Sequence, residues 1–136
     1  MYEGGCLCGG VRYELNGELG TIVFCHCSRC RKAQGSAFAV NAPVPAARLR
    51  LLRGEELLTA YESSPGKFRV FCGRCGSPLF SRNTAMPDVL RLRIGSLDTP
   101  LSPTVRPQHH IYASSKAGWY SIGDDLPQHE GVEPGR

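Results

Sequence analysis

The seven cysteines constrain this chain most, because they fall in three tight clusters: Cys6-Leu7-Cys8, Cys25-His26-Cys27-Ser28-Arg29-Cys30 and Cys72-Gly73-Arg74-Cys75. An odd number cannot all pair within one chain, and in a reducing compartment clusters this dense read as metal ligands before they read as bridges. No basic stretch followed by an apolar one opens the chain, so no secretory leader is expected and the expected location is cytoplasmic. Zinc in a closed site takes four tetrahedral ligands, and two cysteines separated by two residues reach adjacent corners through one turn. Cys72 and Cys75 have that spacing, with Gly73 and Gly76 placed to supply positive φ around an ion. The same spacing also marks redox pairs, but no βαβ pattern surrounds this one.

Cys6 and Cys8 share a face if residues 5–9 are extended, and with Cys72 and Cys75 they would complete a four-cysteine group. Four thiolates leave zinc no open corner, so that group is expected to be structural. Cys25, Cys27 and Cys30 remain. Three protein ligands with a free fourth corner are what a catalytic zinc needs, since water or substrate must bind there. The competing reading closes the corner with a histidine. His26 belongs on the opposite face of a strand carrying Cys25 and Cys27, whereas His109 or His110 could reach the site, so spacing leaves open and closed arrangements both standing.

The formal charge of +4 would fall to +1 if seven thiolates held two dications, which removes most of the basic excess that nucleic-acid binding exploits. No nucleic-acid partner is expected. Arg29, Arg31, Lys32 and Arg74 sit beside the cysteines, where they can offset thiolate charge. The longest apolar runs, residues 22–25 and 37–40, are far too short to span a bilayer, so no membrane association is expected either. A length of 136 residues favours one domain, expected over residues 2–130 with a frayed tail over 131–136. With 16 glycines and 10 prolines, well above average usage, the chain is better suited to short strands and turns than to a helical bundle.

Alternating apolar and polar residues predict half-buried strands over residues 11–15, 68–72 and 90–94. Asn16 and Gly17 can turn the first back onto residues 21–25 as a hairpin. Residues 28–34 read as one short helical stretch closing at Gly35. A strand over 37–40 should be ended by Pro43 and Pro45, residues 55–61 are expected to be strand, and the prolines of residues 99–107 predict an extended crossing loop. The expected architecture is a mainly β, mostly antiparallel domain with its cysteines at strand ends and turns.

The runs Gly5-Cys-Leu-Cys-Gly-Gly-Val-Arg-Tyr-Glu14, Cys25-His-Cys-Ser-Arg-Cys-Arg-Lys-Ala-Gln-Gly35 and Phe71-Cys-Gly-Arg-Cys-Gly-Ser-Pro-Leu79 together resemble the glutathione-dependent formaldehyde-activating enzyme family, the CENP-V/GFA domain. Near the end, His110-Ile-Tyr112, Trp119-Tyr120 and Gly123-Asp-Asp-Leu-Pro127 resemble the family's closing segment. The resemblance implies an Mss4-like β fold with two zinc ions. It further implies that Cys6, Cys8, Cys72 and Cys75 hold a structural zinc and that Cys25, Cys27 and Cys30 hold a second, catalytic-type zinc. The implied activity is that of a carbon–sulfur lyase such as S-(hydroxymethyl)glutathione synthase, with glutathione as the small thiol partner and formaldehyde as the small carbonyl. Arg29, Arg31 and Lys32 are then candidate cations for the thiol's carboxylates by proximity in sequence. The alternative is a zinc module that binds a partner without catalysis.

Overall fold

The computed structural model describes residues 1–136. Its strands are β1 (Tyr2–Gly5), β2 (Arg12–Leu15), β3 (Val23–Cys25), β4 (Ala39–Pro45), β5 (Leu49–Arg53), β6 (Leu58–Ser64), β7 (Lys67–Cys72), β8 (Pro78–Asn83), β9 (Val89–Arg93) and β10 (His109–Ile111), with one α-helix, α1 (Ser28–Gln34). They form a three-stranded sheet, β1-β2-β5, and a seven-stranded sheet, β10-β3-β4-β9-β8-β7-β6. Every pairing is antiparallel except β10 with β3, which is parallel.

Register explains how the large sheet divides its labour. Antiparallel partners share a face, as do residues two apart in one strand. The pairs Val44↔Leu90, Ala42↔Leu92 and Phe80↔Leu92 therefore put an apolar set on one side. That side packs on Tyr13 and Leu15 of β2 in a core that also holds Cys6, Cys72 and Leu79. The pairs Asn41↔Arg93, Ser81↔Arg91 and Arg69↔Ser81 put polar and cationic side chains on the other side, together with Cys25 through its partner Ala39.

Several expectations are corrected. Residues 11–15 and 21–25 form no hairpin: β2 pairs with β1 and β5, while β3 enters the other sheet. The stretch after Asn16 and Gly17 crosses between layers and is tied down where the Gly20 N–H donates to the Pro43 carbonyl. Pro43 and Pro45 do not end the strand at residue 40, because β3 pairs only as far as Asn41. The Pro43 carbonyl points towards Gly20, so its missing N–H faces the side where β3 no longer pairs and removes nothing from the β4–β9 ladder. Residues 55–61 are not one strand; Glu55–Leu57 is a 3₁₀ turn and β6 starts at Leu58. Near the end of the chain, Glu133 is buried and accepts from Arg136 at 3.0 Å. Residues 99–107 contain no regular element, as expected for a crossing loop.

Tyr13 ties the core to β9. Its hydroxyl lies 2.6 Å from Ser96 Oγ, and Ser96 donates its own proton to the Arg93 carbonyl at 2.7 Å, so Tyr13 is the donor of the pair. Burial pushes the Tyr13 phenol up to about 12. The folded state thus holds this proton above pH 10 while the unfolded chain releases it, and the associated stability, fully present below pH 10, is lost as pH rises towards 12. Tyr13→Phe should cost on the order of 1 kcal/mol at neutral pH and flatten that alkaline loss, measured by denaturant melts from pH 8 to 12. An unchanged alkaline slope would contradict the assignment.

Candidate metal centres and an acid-free cavity

The seven sulfurs assemble into two groups, Cys6, Cys8, Cys72 and Cys75 in one and Cys25, Cys27 and Cys30 in the other, each with its ligand atoms within 4.8 Å of one another. None of the seven is in a disulfide. In the first group Cys8 Sγ lies 3.5 Å from Cys6 Sγ and 3.9 Å from Cys72 Sγ. These spacings bracket the edge of a sulfur tetrahedron with 2.3 Å bonds, roughly 3.8 Å, and far exceed a disulfide. The donor set therefore fits a closed metal site, and the redox-pair reading of Cys72 and Cys75 loses its ground.

The chain reaches this geometry through two turns. Cys6 to Gly9 is a turn, closed by the Gly9 N–H donating to the Cys6 carbonyl, rather than the extended segment expected from sequence. The second turn leaves β7, where Gly76 has φ +78°. Gly73 is needed for a different reason from the one expected: its φ is not positive, but a Cβ there would stand 2.4 Å from Thr59 Oγ1. Backbone and side-chain donors surround the sulfurs. Val11 N–H donates to Cys6 Sγ at 3.2 Å and Arg74 Nε to Cys8 Sγ at 3.3 Å. The Gly10 backbone and Arg74 hold the Cys8 thiol below its usual range, and the Ser77 hydroxyl and N–H bring Cys75 down to about 5. Burial pushes Cys72 up.

The second group is built on the junction of β3 and α1. Cys25 ends the strand, Cys27 is the N-cap of the helix and accepts from the Cys30 N–H at 3.3 Å, and Cys30 lies on the first turn, so cap geometry and sulfur clustering are the same event. Gly35, at φ +64°, closes the helix where expected. Hydrogen bonds from the Cys25 and Cys30 thiols lower the Cys27 thiol to about 2, while the same contacts with Cys27 and Cys30 and burial push Cys25 up. One thiolate is therefore favoured even before a dication is considered.

No histidine joins this group. His26 is buried and its Nε2 lies 2.8 Å from His110 Nδ1, while His110 Nε2 lies 3.0 Å from both carboxylate oxygens of Asp124. The His26 and His110 rings are thus engaged with each other and with Asp124 rather than with the sulfurs. His109 Nδ1 is engaged with His129 Nε2 at 2.9 Å. The fourth corner of the three-cysteine group is thus left without a protein ligand.

Instead, the three cysteines line a cavity of about 370 Å³. Its walls carry Arg29 of the helix, Lys67, Arg69, Arg82, Arg91 and Arg93 of the sheet, and Arg136, with no aspartate or glutamate. Of the cations expected from sequence only Arg29 is here; Arg31 and Lys32 are not among the lining residues, and Arg74 serves the first group. The sequence reading missed the sheet cations, although the alternation of Arg91 and Arg93 with leucines was the available signal. It also missed Tyr112, which lines the cavity and is the single non-glycine residue with positive φ, at +51°.

The sequence profile of the family described as glutathione-dependent formaldehyde-activating enzyme matches residues 1–115. The chain belongs to this family. An Aspergillus flavus member provisionally named a glutathione-dependent formaldehyde-activating enzyme is 30% identical over 79 residues, which is 57% of this chain and 41% of that protein. A Schizosaccharomyces pombe protein named an uncharacterized lyase is 30% identical over 79 residues, 58% of this chain and 56% of that protein. The match thus spans about half or less of these relatives' own lengths. A Rhodobacter sphaeroides protein of known crystal structure shares the fold with a TM-score of 0.62 at 24% identity, covering 93% of this chain and 98% of that one. No helix here is long and apolar enough to cross a membrane.

Proposed function

We propose that this chain is a zinc-dependent enzyme that makes or breaks the carbon–sulfur bond between a small thiol, glutathione, and a small carbonyl such as formaldehyde. The observation that carries this reading is the three-cysteine group, without a fourth protein ligand, at the wall of a cationic, acid-free cavity. Cys6, Cys8, Cys72 and Cys75 hold a structural zinc that joins the β1–β2 turn to the end of β7. Cys25, Cys27 and Cys30, which line the cavity, would hold the second zinc. Zinc bound there favours the thiolate over the thiol near neutral pH, where a free thiol of pKa about 8.5 is mostly protonated.

The protein's own residues do the rest. The cationic wall holds the carboxylates of the tripeptide and so orients its sulfur. In the forming direction a sulfur–carbon bond is made, the carbonyl π bond becomes an oxygen lone pair, and the proton lost from the thiol is matched by one gained on that oxygen. The negative charge that develops on oxygen faces guanidinium groups rather than carboxylates, which lowers its cost in either direction.

Cobalt in place of zinc tests this. Glutathione should change the sulfur-to-cobalt absorption, S-methylglutathione should not, and His109→Ala should leave the spectrum of the unliganded protein unaltered. Failure of glutathione and other small thiols to move the spectrum would favour a closed, non-catalytic zinc module.

A further inference from the structure

The cations of the cavity are not equivalent: Arg69 is placed against a sulfur, and Arg93 is buried on the sheet face that carries Cys25. Arg69, on β7, directs both terminal nitrogens of its guanidinium at Cys30 Sγ, each at 3.7 Å, and it has no carboxylate partner. Arg93, on β9, is 5% exposed. Its guanidinium donates only to neutral oxygens, Asn41 Oδ1 at 2.7 Å and the Arg91 carbonyl at 3.4 Å. A guanidinium withdrawn from water without an opposite charge is expensive, and the walls around it hold no acid. Cys25, Cys27 and Cys30 line the same cavity as Arg93, and they are the groups there that can carry a compensating negative charge. Register makes the arrangement a property of the sheet: Arg93 shares its face with Cys25 through Asn41 and Ala39, and with Arg69 through Arg91 and Ser81.

We propose that Arg69 and Arg93 are the counter-charges of the Cys25, Cys27 and Cys30 group and make its open position select an anionic ligand over a neutral one. This rests on the reading that the three cysteines hold a metal with one open side. Three thiolates around a dication leave a local charge of −1, which repels an incoming thiolate; two guanidinium groups turn it to +1. Of the remaining cavity cations Arg136 is held by Glu133, which leaves Arg29, Lys67, Arg82 and Arg91 for the carboxylates of the ligand.

The experiment separates charge selection at the sulfurs from carboxylate recognition by using probes without carboxylates. Cobalt-loaded protein is titrated with thiocyanate, an anion, and with imidazole, a neutral ligand, and the two affinities are expressed as a ratio. Arg69→Gln should lower the preference for thiocyanate on the order of tenfold while imidazole affinity stays within about twofold, and Arg69→Lys should restore most of the preference. Arg93→Met should act in the same direction; if it does not fold, the Arg69 pair decides alone. A ratio unchanged in Arg69→Gln, or both affinities falling together, overturns the proposal while leaving the open site intact. If wild-type protein loads cobalt but neither probe nor glutathione alters the spectrum, the open-site reading itself fails and this inference falls with it.

Discussion

Cys72→Ser is expected to abolish the cooperative melt of the metal-loaded protein, whereas Cys27→Ser should leave a folded protein that no longer binds a thiol. Cys72 is fully buried, belongs to the larger core cluster and lies 3.9 Å from Cys8 Sγ. The binding energy of a structural zinc, on the order of 10 kcal/mol, is part of the folding free energy, and a domain of this size has a net stability of only about 5–15 kcal/mol. Serine is a poor zinc ligand and leaves a hydroxyl unpaired in an apolar core, so both losses fall on one fold. Cys27 is half-buried, and its local task is to cap α1 by accepting from the Cys30 N–H. Serine performs that task well, so the helix start survives the loss of a metal ligand. Thermal melts of both variants, read beside glutathione titrations, check this; equal destabilisation would erase the distinction between the two groups.

The division between the groups was legible in the sequence because ligand spacing is local. Two cysteines separated by one or two residues meet through a single turn whatever the rest of the chain does, and four plus three exhausts the cysteines. The strands with strict alternation were legible for the same reason, and residues 68–72 and 90–94 fall within a residue or so of β7 and β9. What the alternation serves was not legible. Arginines alternating with leucines predict a half-buried strand, yet Arg93 on its polar side is buried too, because β4, β9, β8 and β7 are neighbours and bring Asn41, Arg91, Ser81 and Arg69 to one face. Strand order is a non-local property that no window of the chain contains. The same cause explains the hairpin that does not form after Asn16 and Gly17: the turn signal is sound, but Leu15 and Val23 are claimed by different sheets. His109 and His110 stayed ambiguous in sequence because their partners, His129, His26 and Asp124, are fixed only when β10 docks parallel to β3.

Glutathione is expected to protect the second metal from chelation and to leave the first untouched. Elemental analysis of protein purified without chelator should give two zinc ions per chain, one for each cysteine group. A competing chelator should then remove them in order, since three protein sulfurs at a cavity hold an ion less firmly than four, and the first group is tied into the core through Cys6 and Cys72. A ligand that binds only the loaded site lets it empty only from the fraction of sites left unliganded, so the rate falls by a factor of one plus the ratio of ligand concentration to Kd. At a hundred times its dissociation constant, glutathione should retard loss of the second ion about 100-fold, corresponding to ~2.7 kcal/mol of linked stabilisation. S-methylglutathione shares the carboxylates but lacks an ionisable thiol, so any protection it gives measures the cationic wall alone and should be much weaker. A stoichiometry fixed at one after zinc supplementation would remove the two-centre reading. Equal protection of both ions would mean that glutathione stabilises the fold at large and does not take the open corner beside Cys25, Cys27 and Cys30.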